Sequence, residues 1–128
     1  MPVKGLGPYD ANNIFARILR GEIPCRKVFE NEWALAFHDI NPQAPVHVLV
    51  IPKRPCVSFA DFAAVAEEAE IAGFMRAVGV VARELGLEEP GYRLLANMGE
   101  QAGQEVAHFH VHIFGGRPLG PMLARATT

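Results

Sequence analysis

Cysteine is scarce in this chain of 128 residues: Cys25 and Cys56 stand far apart and form no Cys-x-x-Cys pair. That argues against a disulfide scaffold and a cysteine zinc knuckle, and reduced thiols are expected. An excess of one charge is missing too. With 12 basic side chains against 14 acidic ones, the balance does not provide a polyanion-binding surface. Long hydrophobic runs are absent: the longest strongly apolar stretch, Pro45 to Pro52, is interrupted by His47 and falls far short of the roughly 20 residues a membrane-spanning helix needs. The amino-terminal decapeptide has one lysine but no apolar segment behind it, and its prolines and glycines predict an irregular, exposed arm over residues 1–11. With 50% hydrophobic and 20% charged residues the chain reads as one soluble globular domain, cytoplasmic by default.

What the chain does have is clustered histidine. Of five, three fall at His108, His110 and His112. Around them, helical spacing predicts a short amphipathic helix over Ile14 to Arg20, with an asparagine N-cap and Gly21 beyond its end. Lys27–Glu30 and Ala34–His38 read as strands about an Asn31-Glu32 turn, and His47–Ile51 as a buried strand closed by Pro52. A main helix follows, starting at a Ser58-x-x-Asp61 capping box or a few residues later at the 67–70 glutamates. Its expected apolar stripe is Ala69, Ala72, Met75, Val78, Ala82 and Leu85, ending at Gly86. Tyr92–Ala96 and Val106–Phe114 complete the strands, with a glycine-bearing loop from Asn97 to Gly103 between them. The order α-β-β-β-α-β-β predicts an α+β domain with both helices on one sheet face.

In a strand, His108, His110 and His112 would stand in a row about 13 Å long on one face, with Phe109, Val111 and Ile113 packing on the other. One strand histidine is commonly just a hydrogen-bonded residue, but three in register ask for a task. Two chemistries fit. Imidazoles ligate transition metals, with His38 and His47 as the upstream candidates, and they also act as nucleophile, acid or base near neutral pH. A phosphoryl-histidine would split one hard substitution at phosphorus into two easier steps, and Gly99 and Gly103 allow the neighbouring backbone to approach a phosphate closely.

His108-Phe-His-Val-His-Ile-Phe114 resembles the His-φ-His-φ-His-φ-φ signature of the histidine triad superfamily. Further matches to its nucleotide-binding, purine nucleoside phosphoramidase branch are Ile14-Phe15, Gly21-Glu-Ile-Pro24, Ala36-Phe-His-Asp-Ile40, Pro42-Gln-Ala-Pro45, His47, Leu49 to Lys53, Asn97 and Gly103-Gln104. They run from about residue 12 to residue 117, leaving the arm of 1–11 and a tail of 118–128. The resemblance implies a five-stranded antiparallel sheet with two helices, a homodimer with one ten-stranded sheet, and metal-free hydrolysis of nucleoside 5′-phosphoramidates without a cofactor. It implies His110 as nucleophile, His112 on the phosphate, His108 in support and His47 beside them. By the same mapping Asp39 would meet the ribose, and Ile14, Phe15, Ile18, Phe37 and Ile40 would hold the base. Asn97, Gly103, Gln104 and the backbone of Glu105 would surround the phosphate. By periodicity alone the same apolar residues are ordinary core and Asp39 a turn former.

Three positions depart from the family pattern. Asn13-Ile-Phe-Ala16 replaces the Cys-x-x-Cys with which many bacterial relatives bind zinc, Glu105 stands where eukaryotic relatives carry serine, and the tail lacks the tryptophan of the animal proteins. Leaving-group preference therefore does not carry over. Dinucleoside polyphosphate hydrolysis, the task of a sister branch, and a nucleotide-binding interaction module with incidental hydrolysis are the alternative functions.

Overall fold

The structure, a computed structural model, describes residues 3–124. Its first helix, α1, is Ile14–Leu19, where Asn13 Oδ1 accepts the Ala16 N–H at 2.9 Å. Gly21, at φ 79°, then turns the chain in the left-handed conformation that a helix end favours. Strands β1 (Lys27–Glu30) and β2 (Ala34–His38) pair antiparallel across a turn in which Asn31 Oδ1 accepts from the Trp33 and Ala34 N–H groups. β3 is Val46–Pro52, and two helices follow, α2 (Phe59–Val65) and α3 (Glu68–Glu84). β4 (Arg93–Leu95) and β5 (Val111–Gly115) complete a five-stranded antiparallel sheet in the order β1-β2-β3-β5-β4.

Three expectations are corrected here. The main helix is two, because both start signals are used. Ser58 Oγ accepts the Asp61 N–H to open α2, and Glu70 Oε1 accepts the Glu67 N–H at 2.9 Å to open α3. The buried stripe of α3 is rotated from the expected one to Phe74, Ala77, Val78, Val81 and Ala82, because the bulkier Phe74 and Val81 sit on that side. Met75, expected inside, is 54% exposed, and Ala69 and Ala72 are exposed as well. Finally, the helices do not share one face. α2 and α3 pack through Phe62, Phe74, Val78 and Val81 against Ala36, Val48, Val50 and Ile113, whereas Phe15 of α1 packs against Leu35, Phe37, Leu49 and Ile51 on the opposite face. Two-sided cover explains why β2 and β3 are almost wholly buried.

Gly73 permits the closest approach in this packing. A Cβ there would lie 2.4 Å from Cγ and Cδ1 of Trp33, so only glycine lets the indole rest on α3. No helix among the described residues is long and apolar enough to cross a membrane.

The last strand is shorter than its sequence reads. β5 begins at Val111, so of the three clustered histidines only His112 lies in the ladder. The peptide between His108 and Phe109 leaves the sheet: its N–H donates to Cys56 O at 2.9 Å and its carbonyl accepts from the His110 ring. The arm is irregular as expected but is not free. Val3 N–H donates to Gln104 O, and Gly5 is buried.

Candidate functional site

β3 and β5 present alternate residues to the α1 face, and their register sets His47 opposite Phe114 and Leu49 opposite His112. The diagonal neighbours His47 and His112 therefore meet, with Nε2 of His47 2.9 Å from Nδ1 of His112. Phe114 stacks on His112 with the planes 4° apart, and Phe15 meets the His110 ring edge to face at a centroid distance of 5.0 Å. Above these rings opens a cavity of about 640 Å³, the size of a small-molecule site.

The hydrogen bonds assign the imidazole protons of the clustered rings, His47, His108, His110 and His112. A carbonyl only accepts, so His108 must carry its proton on Nε2, which donates to Pro52 O at 2.9 Å, and its Nδ1 accepts the Tyr9 hydroxyl at 2.6 Å. His110 must carry its proton on Nδ1, which donates to the His108 carbonyl at 2.7 Å. His47 Nδ1 accepts the Gln43 N–H at 3.1 Å, so its Nε2–H donates to His112 Nδ1. His112 is left with its proton on Nε2. Within this cluster of four rings, one imidazole lone pair, on His110 Nε2, and one imidazole N–H, on His112 Nε2, have no partner among the described residues, and the ring of His38, outside the cluster, also lines the cavity. Since no fully buried side-chain nitrogen or oxygen among the described residues lacks a partner, both atoms are accessible, and both residues line the cavity.

Burial keeps these rings neutral. It pushes His108 down to about 4, and it does the same for His112, aided by the neighbouring His110 and His47. His110, 6% exposed, and His47 are lowered for the same reason, with Asp39 partly offsetting the effect at both. A neutral ring with an exposed lone pair is the nucleophilic form of histidine.

Most of the expected site residues come together here. Ile14, Phe15, Ile18 and Phe37 line the cavity with Leu49, and Ile40, 84% exposed, stands at its rim. Asp39 is the turn former that its neighbours suggest, Oδ1 accepting the Asn41 N–H at 2.8 Å, and it also lines the cavity, with Oδ2 3.4 Å from His47 Nε2. Asn97, Gly103 and Glu105 line the same cavity.

His47, His108 and Gln104 lie behind the wall. Gln104 is fully buried and clamps the loop, donating to the carbonyls of Val57 and Val106 and accepting the Gly99 N–H at 2.9 Å. The Gly103 and Gln104 amides also donate within the chain, to Glu100 O and Gly99 O, so these N–H groups are not available to a ligand. Asp39, His47 and His112 bring one ligand atom each within 4.8 Å of one another, the one such metal-spaced group among the described residues. A cation there would have to displace the proton shared by the two imidazoles. Sequence reasoning missed Tyr9, Ile23, Cys25 and Arg26. The last three line the cavity from the segment after α1, where the Gly21–Pro24 match was the available signal.

The HIT domain family matches residues 20–119. A 13.2 kDa HIT-like protein of Azospirillum brasilense is 68% identical over 117 residues, covering 91% of this chain and 96% of the relative. The purine nucleoside phosphoramidase of Escherichia coli K12 is 44% identical over 111 residues, covering 87% and 92%. A histidine triad protein from Clostridium difficile superposes with a TM-score of 0.81 at 37% identity, over 91% of this chain and all of that one. With a triad whose protons are assigned and a family match that spans most of the fold, the chain belongs to the HIT domain family.

Proposed function

We propose that this chain hydrolyses purine nucleoside 5′-phosphoramidates to a nucleoside monophosphate and an amine, through a nucleotidyl intermediate on His110. The observation that carries the reading is the one unpartnered imidazole lone pair within the cluster of His47, His108, His110 and His112, on His110 Nε2, in the same cavity as the cluster's one unpartnered imidazole N–H, on His112 Nε2. In this reading the base lies against the apolar lining residues Ile14, Phe15, Ile18 and Phe37, the ribose hydroxyls donate to Asp39, and the phosphate lies between the triad, Asn97 and the backbone of Glu105. His110 Nε2 bonds to phosphorus as the P–N bond breaks, His112 Nε2–H donates a hydrogen bond to a phosphoryl oxygen, and the departing amine takes its proton from water, leaving hydroxide. A second water then attacks phosphorus, the Nε2–P bond breaks, and the proton that this water releases neutralises the hydroxide. Nδ1–H of His110 stays on the His108 carbonyl throughout and balances the positive charge that develops on the ring. The name of the E. coli relative and its identity support the same reaction class.

Turnover of adenosine 5′-phosphoramidate by the purified protein, with and without chelator, tests the proposal. Activity that survives chelation and vanishes in His110→Ala, with an adenylyl adduct detected by intact-mass measurement in the wild type, is the expected result. Full activity in His110→Ala refutes the nucleophile, and activity lost on chelation moves the chemistry to the Asp39, His47 and His112 group. Diadenosine polyphosphates in the same assay separate the sister reaction, and tight monophosphate binding without turnover on any substrate identifies a binding module.

The working unit we propose is a homodimer joined through β4 into a ten-stranded sheet. β4 is a sheet edge, and Leu94 is 45% exposed on it. Sedimentation giving the monomer mass at micromolar concentration would overturn this.

A further inference from the structure

We propose that Tyr9, from the amino-terminal arm, is a positioning residue of the triad: its hydroxyl holds His108, and through the His108 carbonyl sets the ring of His110. The inference rests on the reading of His110 as nucleophile and adds a residue outside the histidine motif. The arm is docked at three points. Val3 N–H donates to Gln104 O at 3.1 Å, Gly5 O accepts the Ser58 hydroxyl at 2.6 Å, and Tyr9 donates to His108 Nδ1 at 2.6 Å. At Gly5, φ is 82° and a Cβ would lie 3.0 to 3.1 Å from Met98, Gly99 and Gln104, so the strap runs flush against the loop bordering the cavity.

His108 needs such an anchor. It is fully buried with no cavity wall of its own, and it precedes β5, so no ladder bonds hold it. Its ring is fixed at both nitrogens, by Pro52 O and by Tyr9, which meets it edge to face with centroids 5.6 Å apart. Its carbonyl accepts the His110 Nδ1–H, the bond that leaves His110 Nε2 bare toward the cavity. Burial raises the Tyr9 phenol, so it keeps the proton it donates. Without that donor, Nδ1 of a buried ring is left unsatisfied, the state in which such a ring turns or changes tautomer.

Tyr9→Phe removes the donor and keeps the ring. The full-length variant should lose about tenfold in kcat on adenosine 5′-phosphoramidate with KM within twofold of wild type. Long-range 1H–15N spectra of the ligand-free protein report the imidazoles directly. In wild type they should show His108 as the Nε2–H tautomer with a hydrogen-bonded Nδ1. In the variant the Nδ1 signal should move toward that of an unbonded nitrogen, and the His110 Nδ1 proton should exchange faster. Unchanged imidazole signals in Tyr9→Phe overturn the proposal whatever the kinetics, and so does a loss that falls on KM with kcat intact. Because the spectra need no substrate, they separate the two readings: a wild type inert on every phosphoramidate but with the expected spectral response overturns the proposed reaction and leaves Tyr9 as the anchor of His108.

Discussion

Lowering the pH from 7 to 5 should destabilise this protein through its histidines before its carboxylates respond. His108 and His112 titrate at about 4 in the fold because burial disfavours their charged forms, against about 6.5 in an unfolded chain. The unfolded chain therefore binds more protons below pH 6.5. The stability contributed by the neutral rings is full above that pH, is lost as pH falls toward 4, and changes no further once both states are protonated. At about 1.36 kcal/mol per pKa unit each ring contributes about 3 kcal/mol over the whole window, of which about 2 is lost between pH 7 and 5. Two rings give about 4 kcal/mol, a large part of the roughly 5 to 15 kcal/mol that holds a domain together. His47 and His110, lowered in the same direction, add to it. Glu22, Glu30 and Glu70 are held below the ordinary value of 4.5 by ion pairs and hydrogen bonds, and their losses come at lower pH. The assay is urea unfolding followed by the fluorescence of Trp33. With a urea dependence of about 2 kcal/mol per molar, the midpoint should fall by about 2 M between pH 7 and pH 5. A midpoint that moves by less than about 0.3 M over that interval would refute the claim that the fold holds these imidazoles neutral.

Gly73→Ala places a methyl group 2.4 Å from the Trp33 indole, and the cost of overpacking, about 1 to 3 kcal/mol, should exceed the helix-propensity gain of about 1 kcal/mol. A urea midpoint at or above that of wild type would show that the indole moves freely off α3. Gln104→Ala strips partners from the carbonyls of Val57 and Val106 and from the Gly99 N–H. About 2 kcal/mol or more of stability should go, with faster hydrogen exchange at the Gly99 amide as the local sign, and unchanged protection there would contradict the clamp.

Much of this could be read from the residues because local chemistry and final structure agree. Asn13 caps α1, Asn31 closes the first hairpin, and the alternation of Val48 and Val50 with His47 and Leu49 assigns each to a sheet face. Disagreement arises where tertiary partners override a pattern. The alternation over 106–114 is what a strand shows, yet before Val111 the backbone bonds to Cys56 and to a side chain instead of to a neighbouring strand. In α3 two helical stripes of the same period compete, and side-chain volume, not period, chose the one with Phe74 and Val81. Tyr9 sits among glycines and prolines with no period at all, so only the folded chain shows which ring it touches. Gln104 reads as a loop residue near a phosphate, and its burial is a property of the arm and of Val57, both distant in sequence.

The protons of the cluster are assigned largely by atoms that every amino acid supplies. The Pro52 carbonyl orients His108, the His108 carbonyl orients His110, and the Gln43 amide sets the first tautomer in the pair of His47 and His112. A change of side chain at 43 or 52 deletes none of these groups, with one exception, proline at position 43, which has no N–H to give. Drift at such positions is therefore nearly free while the backbone path is kept. Inheritance of the chemistry is carried by the shape of the chain, in places where comparing letters between descendants would record only noise.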